Sequence, residues 1–288
     1  MPRICHITES GLRWHRFGPP NLLGLLPLER IWRIVAKLQR RPCLRSGNPV
    51  LNAKTFPRAY ERADTEAMTI QGTVNKTALL AICLLITAAW MWNQLMSSNE
   101  SATPYIAVGA IGGFIVALVT VFKKPWAPVT APIYALLEGL VIGGLSAILE
   151  MRFPGIAMQA ASLTIGTLLC LLLAYRSGLI RATENFKLGV VAATGGIALV
   201  YFASIVLGFF GMSIPYIHQS GWIGIGFSLF VVVIAALNLV LDFDFIEQGA
   251  AQGAPKYMEW YAAFGLMVTL IWLYIEILRL LAKARSRK

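Results

Sequence analysis

The sequence predicts an all-α polytopic membrane protein, seven transmembrane helices in one bundle. Three observations carry that prediction. Of 288 residues, 57% are hydrophobic and 14% charged, and the mean hydropathy is +0.65. A soluble domain carries about 25% charged residues, so there is too little polar surface to dissolve this chain. The apolar residues also fall into runs of about 18 or more without a charge, each long enough to cross a hydrocarbon core of roughly 30 Å. These runs do not alternate, and backbone in lipid must close its own hydrogen bonds, so they read as helices rather than barrel strands. A Rossmann domain, a disulfide scaffold and a disordered regulator are excluded.

The chain opens with a basic arm, residues 1–77, ahead of a membrane bundle at 78–288. The arm holds 13 of the 25 basic residues against five acids, a contribution of +8 to the net +11. Basic excess beside membrane helices marks the cytoplasmic side. No nucleic-acid-binding motif accompanies the charge, so the expected surface partner is the lipid bilayer. Within the arm, 28–38 (LERIWRIVAKL) sets Leu28, Ile31, Trp32, Ile34, Val35 and Leu38 at helical spacing, with Arg30, Arg33 and Lys37 on the other face. That pattern suits a helix lying in the interface of an anionic membrane. An over-extended gene start over 1–43 is the competing reading, and a targeting peptide is weaker for want of a cleavage signature.

Seven apolar segments follow, at 78–95, 105–122, 127–149, 158–175, 188–210, 222–241 and 258–281. The loops support a cytoplasmic N-terminus. Segments 96–104 and 211–221 lack Lys and Arg, and 150–157 has only Arg152. Lys123 and Lys124 mark one intervening loop; Arg176, Arg181 and Lys187 mark another. The tail breaks this alternation. After seven crossings Lys283, Arg285, Arg287 and Lys288 lie outside, unless the last segment enters and returns. Gly109/Gly113 and Gly139/Gly143 are small-xxx-small pairs that let helix backbones approach, a packing feature before anything else. GWIGIG (221–226) opens an apolar helix with no strand before it, so it is not a dinucleotide fingerprint.

The four cysteines (Cys5, Cys43, Cys83, Cys170) form no CxxC pair, and His6, His15 and His218 stand far apart. Neither zinc nor a disulfide framework is suggested, and no cofactor is expected. Acids in apolar helices are the informative feature. An ionisable group at the centre of a membrane helix costs about 2.5–3.5 kcal/mol on insertion scales and is functional by default. Glu138 sits in the middle of the third span (YALLEGLVIGG) and is expected to face the bundle interior. Glu276 lies in the last span, three residues before Arg279, where a helix-surface ion pair is the alternative. Asp242, Asp244 and Glu247 cluster where the sixth span ends (LVLDFDFIE), and Asp242 and Asp244 also read as a helix end in headgroup water. With a simple turn near Gly253, Asp242 and Glu276 differ in height by roughly 18 Å at about 1.5 Å per residue. The carboxylates then form a ladder at three depths, a reasonable cation path because oxygen ligands suit Ca²⁺.

LVLDFDFIEQG with EWYAAFGLMVTLIWLYIEILRLL resembles the carboxyl end of the Bax inhibitor family, including its bacterial YccA- and YetJ-type branch. SGNPVLN (46–52) is similar to the start of many bacterial members, and APIYALLEGLVIGGLSAIL (131–149) to their third-span motif. The resemblance covers about 46–288. It implies six helices around a central seventh, and a calcium-permeable leak gated by pH through an acid on the sixth helix and one on the seventh. Asp242 matches the acid opening a D-x-x-x-I pattern, Glu276 the acid closing Leu-Tyr-x-acid, and Glu138 a third-span glutamate near the pore. Asp244 has no clear counterpart, and Arg152 is a poor match for the family's basic partner. On this reading Asp242 and Glu276 are the candidate Ca²⁺ ligands, and Asp242, Glu276, Glu138 and Asp244 the candidate ion path and pH sensor.

The expected function is a pH-sensitive cation (Ca²⁺) leak of a bacterial inner membrane, gated by protonation of intramembrane carboxylates. Acid sensing needs carboxylates whose proton affinity is raised by burial or a like-charged neighbour. The alternative is a non-conducting regulator that binds and restrains a membrane protease or stress factor. An enzyme is not expected: no GxGD pair and no Ser/His motif lies in the spans, so there is no catalytic candidate. Oligomeric state is not legible.

Overall fold

The computed structural model describes residues 67–97, 103–210 and 221–287. The interfacial-helix reading of 28–38 and the SGNPVLN motif lie outside them. The described chain is all-helical: α1 (Ile70–Ser97), α2 (Thr103–Phe122), a 3₁₀ turn (Lys124–Trp126), α3 (Ala127–Arg152), α4 (Ile156–Arg176), α5 (Glu184–Phe209), α6 (Trp222–Ala251) and α7 (Met258–Arg285). All seven helices are long and apolar enough to cross a membrane. They answer the seven expected segments one for one.

Local chemistry sets the helix ends. Pro128 falls in the first turn of α3, where a missing N–H costs nothing. The Thr183 hydroxyl caps α5 by accepting from the Phe186 N–H at 3.4 Å. Gly253, at φ 65°, turns the chain between α6 and α7, where the spacing places the hairpin. Two helices outrun their apolar segments by two turns or more. α1 begins at Ile70 rather than 78, because Gln71 bonds to Asn75 and Lys76 finds a buried acid partner on α7. α6 continues past 241 to Ala251, so Asp242, Asp244 and Glu247 lie within a helix and not beyond its end.

Helix α7 is the centre, packing directly on α1, α3, α4 and α6, while α2 leans on α3 and α5 on α6. Four helices therefore surround α7 and two stand outside them. The core lies on two sides of α7. Leu80, Leu84, Tyr134, Ile142, Phe264 and Met267 join α1, α3 and α7. Ile156, Ala160, Leu239, Phe243, Leu273 and Leu278 join α4, α6 and α7. In lipid the helices gain nothing from the hydrophobic effect against one another, so close packing and interhelical hydrogen bonds hold them. Both are present. Gly139 and Gly143 of α3 lie where a Cβ would strike Leu84, Thr87 and Ala88 of α1, and Gly109 of α2 lies against the Leu137 carbonyl. The packing reading of these glycines is the observed one. Thr120 and Thr130 hydroxyls lie 2.7 Å apart between α2 and α3, and Ser146 and Tyr274 2.6 Å apart between α3 and α7.

The chain threads antiparallel, and contacts at both ends fix which termini share a side. The Met68 N–H donates to the Ala254 carbonyl at 2.7 Å, placing the start of α1 beside the α6–α7 turn. At the opposite end Lys283 reaches the Gly224 carbonyl and Ser228 hydroxyl at the start of α6. Arg285 donates to the Phe153 and Pro154 carbonyls and to Gln159. Arg287 lies 3.5 Å over the Trp222 ring. Thus α7 runs as one unbroken helix from one end of the bundle to the other, long and apolar enough for a full crossing, and is not a re-entrant loop. Of the tail cations that break the loop alternation, Lys283, Arg285 and Arg287 are engaged with carbonyls, side-chain oxygens and a ring of their own chain.

Candidate functional site

The five intramembrane acids separate into three environments. Asp242 and Glu138 line one cavity of about 690 Å³, bounded by α2, α3, α6 and α7. Asp242, on α6, shares the lining with Thr269 of α7, whose hydroxyl donates to the Gly265 carbonyl. Asp242 Oδ2 is buried and has no partner. Glu138, on α3, lines the cavity together with Tyr134, one helical turn earlier. Gly113 of α2 makes room for it, since a Cβ there would lie 2.8 Å from Glu138 Oε1. Glu138 therefore faces inward, as its apolar helix required. The rest of the lining is apolar and aromatic, with Phe114, Phe245, Tyr261 and Phe264 prominent.

Glu276 lies elsewhere. It is fully buried, and its Oε1 accepts from the Tyr201 hydroxyl of α5 at 2.8 Å and from Arg279 at 3.0 Å, while Oε2 has no partner. Arg279 also donates to the Tyr201 oxygen at 2.8 Å. Seven residues, about 10 Å of helix, separate Glu276 from Thr269, where Asp242 sits. The pairing of Asp242 with Glu276 that the resemblance implies is not formed; Asp242 instead shares its cavity with Glu138. The α6–α7 connection is a short hairpin and the two acids stay at different heights, although the offset of about 10 Å is smaller than the spacing predicts. Asp244 forms an ion pair with Lys187 of α5 at 2.9 Å and accepts from Gln248, and Glu247 accepts from the Tyr175 hydroxyl at 2.5 Å. Among the described residues no three of His, Cys, Asp and Glu converge as a metal cluster.

Two features were not read from the sequence. Glu259, in the first turn of α7, is fully buried and meets Lys76 of α1, Lys256 at 2.7 Å, and the N–H and hydroxyl of Thr69, both at 2.9 Å. The signal for it is Lys76, the only charge between Glu66 and Glu100. The second is a polar stripe on α5 at seven-residue spacing. Lys187 meets Asp244, Thr194 accepts from Asn238 at 2.8 Å, and Tyr201 meets Glu276 and Arg279. Little of α5 is buried, so these ties hold it on the bundle. Tyr201→Phe should therefore lower stability by about 1–2 kcal/mol, because it removes a donor from a buried carboxylate. Thermal unfolding in detergent measures it, and an unchanged midpoint would show that apolar contact alone seats α5.

The sequence model of the Bax inhibitor 1 like family matches residues 48–286. The chain belongs to this family. The match takes in all seven helices and every acid discussed above. No curated protein and no solved structure matches the chain.

Proposed function

We propose that this Bax inhibitor 1 like protein is a cation leak of a bacterial inner membrane, permeable to Ca²⁺ and regulated by protons. The observation that carries the reading is the unpartnered, buried Oδ2 of Asp242 in a cavity that Glu138 also lines. A carboxylate in the membrane interior with no counter-ion is costly. A transient cation or proton is the simplest partner for it. Carboxylate oxygens are the ligands Ca²⁺ prefers, and two of them with Thr269 and Tyr134 nearby offer a weak, partly hydrated station rather than a tight site. Protonation cancels the charge that attracts the ion, which couples flux to pH. The arm and the loops with Lys123, Lys124, Arg176 and Arg181 then face the cytoplasm.

The test is calcium entry into dye-loaded liposomes carrying the purified chain, at two pH values, for wild type and Asp242→Asn. Wild type should leak in a pH-dependent way. Asp242→Asn, which keeps the shape and removes the charge, should change the rate several-fold and flatten its pH response. Silence of folded wild type at both pH values would overturn the leak and favour a regulator of a membrane protease or stress factor.

A further inference from the structure

The cavity that holds Asp242 and Glu138 is walled by more than carboxylates, and its aromatic lining goes unused by an inorganic cation. Helices α2 and α6 make no extensive contact with each other, and the cavity lies between them, floored by α3 and α7. Its rim is formed by Phe114 (64% exposed), Val121, Phe245 and Val268, apolar side chains exposed on membrane-crossing helices. A mouth rimmed in this way opens sideways, to lipid. Inside, Tyr134 and Phe264 meet edge to face at 5.0 Å, Tyr261 lies 6.4 Å from Phe264, and Phe245 lies 6.3 Å from Tyr261. The Tyr261 ring already attracts one cation, the Lys124 ammonium 5.3 Å from its centre.

We propose that this cleft binds a lipophilic organic cation, an onium group with an apolar body, which enters from the bilayer and lodges its charge between Asp242 and Glu138. A volume of about 690 Å³ lies within the roughly 300–1,000 Å³ of small-molecule sites, which are mostly apolar with a few convergent polar groups. A hydrated metal ion would leave the aromatic wall unused. An organic cation uses both parts: two carboxylates take the charge, and ring faces attract a weakly hydrated onium group. The proposal rests on the same inward-facing carboxylates as the leak reading but not on conduction. Binding and flux are read separately, so either can fail alone.

The test uses the full chain in nanodiscs and radiolabelled tetraphenylphosphonium, with tetraphenylborate as a probe of the same shape and opposite charge. Empty nanodiscs give the partition background. Wild type should bind the cation saturably, one per chain, and show no saturable binding of the borate. The Asp242→Asn, Glu138→Gln double variant should weaken cation binding at least tenfold. Ala110→Trp, which fills the cleft while leaving both acids in the sequence, should weaken it similarly. Affinity should be the same with and without phosphatidylethanolamine. Cation binding no greater than the background, equal saturable binding of the borate, or undiminished binding in both variants would overturn the proposal. Competition by phosphatidylethanolamine would make a lipid headgroup the occupant and overturn it too. Should the double variant not fold, the charge comparison on wild type and the Ala110→Trp result decide.

Discussion

Replacing Glu259 with Ala should lower stability by about 3 kcal/mol, the largest effect expected of any single charge in the bundle. The carboxylate is fully buried, and removing it leaves the Lys76 ammonium, 19% exposed, with no other acid partner among the described residues, and the Thr69 N–H and hydroxyl without their acceptor. Breaking a buried ion pair from one side costs about 3–5 kcal/mol. The lower end applies because Lys256, 47% exposed, can turn to water. The cost is not local. Thr69 and Lys76 belong to the start of α1, Lys256 to the α6–α7 turn and Glu259 to α7, so one carboxylate ties three parts of the chain together. Glu259→Gln should cost less, since an amide oxygen still accepts from Thr69. Lys76→Met on the Glu259→Ala background should recover part of the loss, because the stranded charge goes with the lysine. Thermal unfolding of the detergent-solubilised chain gives all three. A Glu259→Ala midpoint within about a degree of wild type would mean that the cluster is solvated and holds nothing.

That cluster marks where sequence reading stops. Helix count and placement were legible because lipid imposes a length and a composition that no soluble fold satisfies. Glu138 was legible for the same reason: a lone acid among Leu136, Leu137, Leu140 and Val141 can only turn inward. Glu259 was not, because an acid in the first turn of a helix reads as a favourable dipole partner with no further role. Only the fold brings Lys76 to it, across 183 positions of sequence. Asp242 and Glu276 show the opposite case. Motif resemblance sets them together, whereas rise per residue sets them apart, and the observed hairpin follows the rise. Asp244 lies two residues from Asp242 and so on another face of α6, which gives it Lys187 instead of the cavity. Partner identity is tertiary information, and spacing supplies it only within one helix.

Gly139→Leu should be as damaging as the loss of Glu259, by a different route. A Cβ at Gly139 would overlap the Leu84 carbonyl and the Thr87 hydroxyl, and one at Gly143 would overlap the Ala88 backbone. Backbone atoms cannot swing aside as a flexible side chain can, so α1 and α3 must separate, and theirs is the most extensive helix contact among the described residues. Overpacking in a filled core costs about 1–3 kcal/mol, and the upper end is expected here. Glycines of α5 supply the control. A Cβ added at Gly195 or Gly196 would meet nothing within 4 Å, so Ala there should be neutral, or stabilising by a few tenths up to about 1 kcal/mol through helix propensity. Two sets of glycines that look alike in the sequence should thus differ in sign. Gly139 also adjoins Glu138, so displacing α3 moves that carboxylate relative to Asp242, and under the proposed leak function calcium flux should fall in step with the melting point. If Gly139→Leu melts with wild type while Gly195→Ala is destabilised, α3 does not pack on α1 through its glycines.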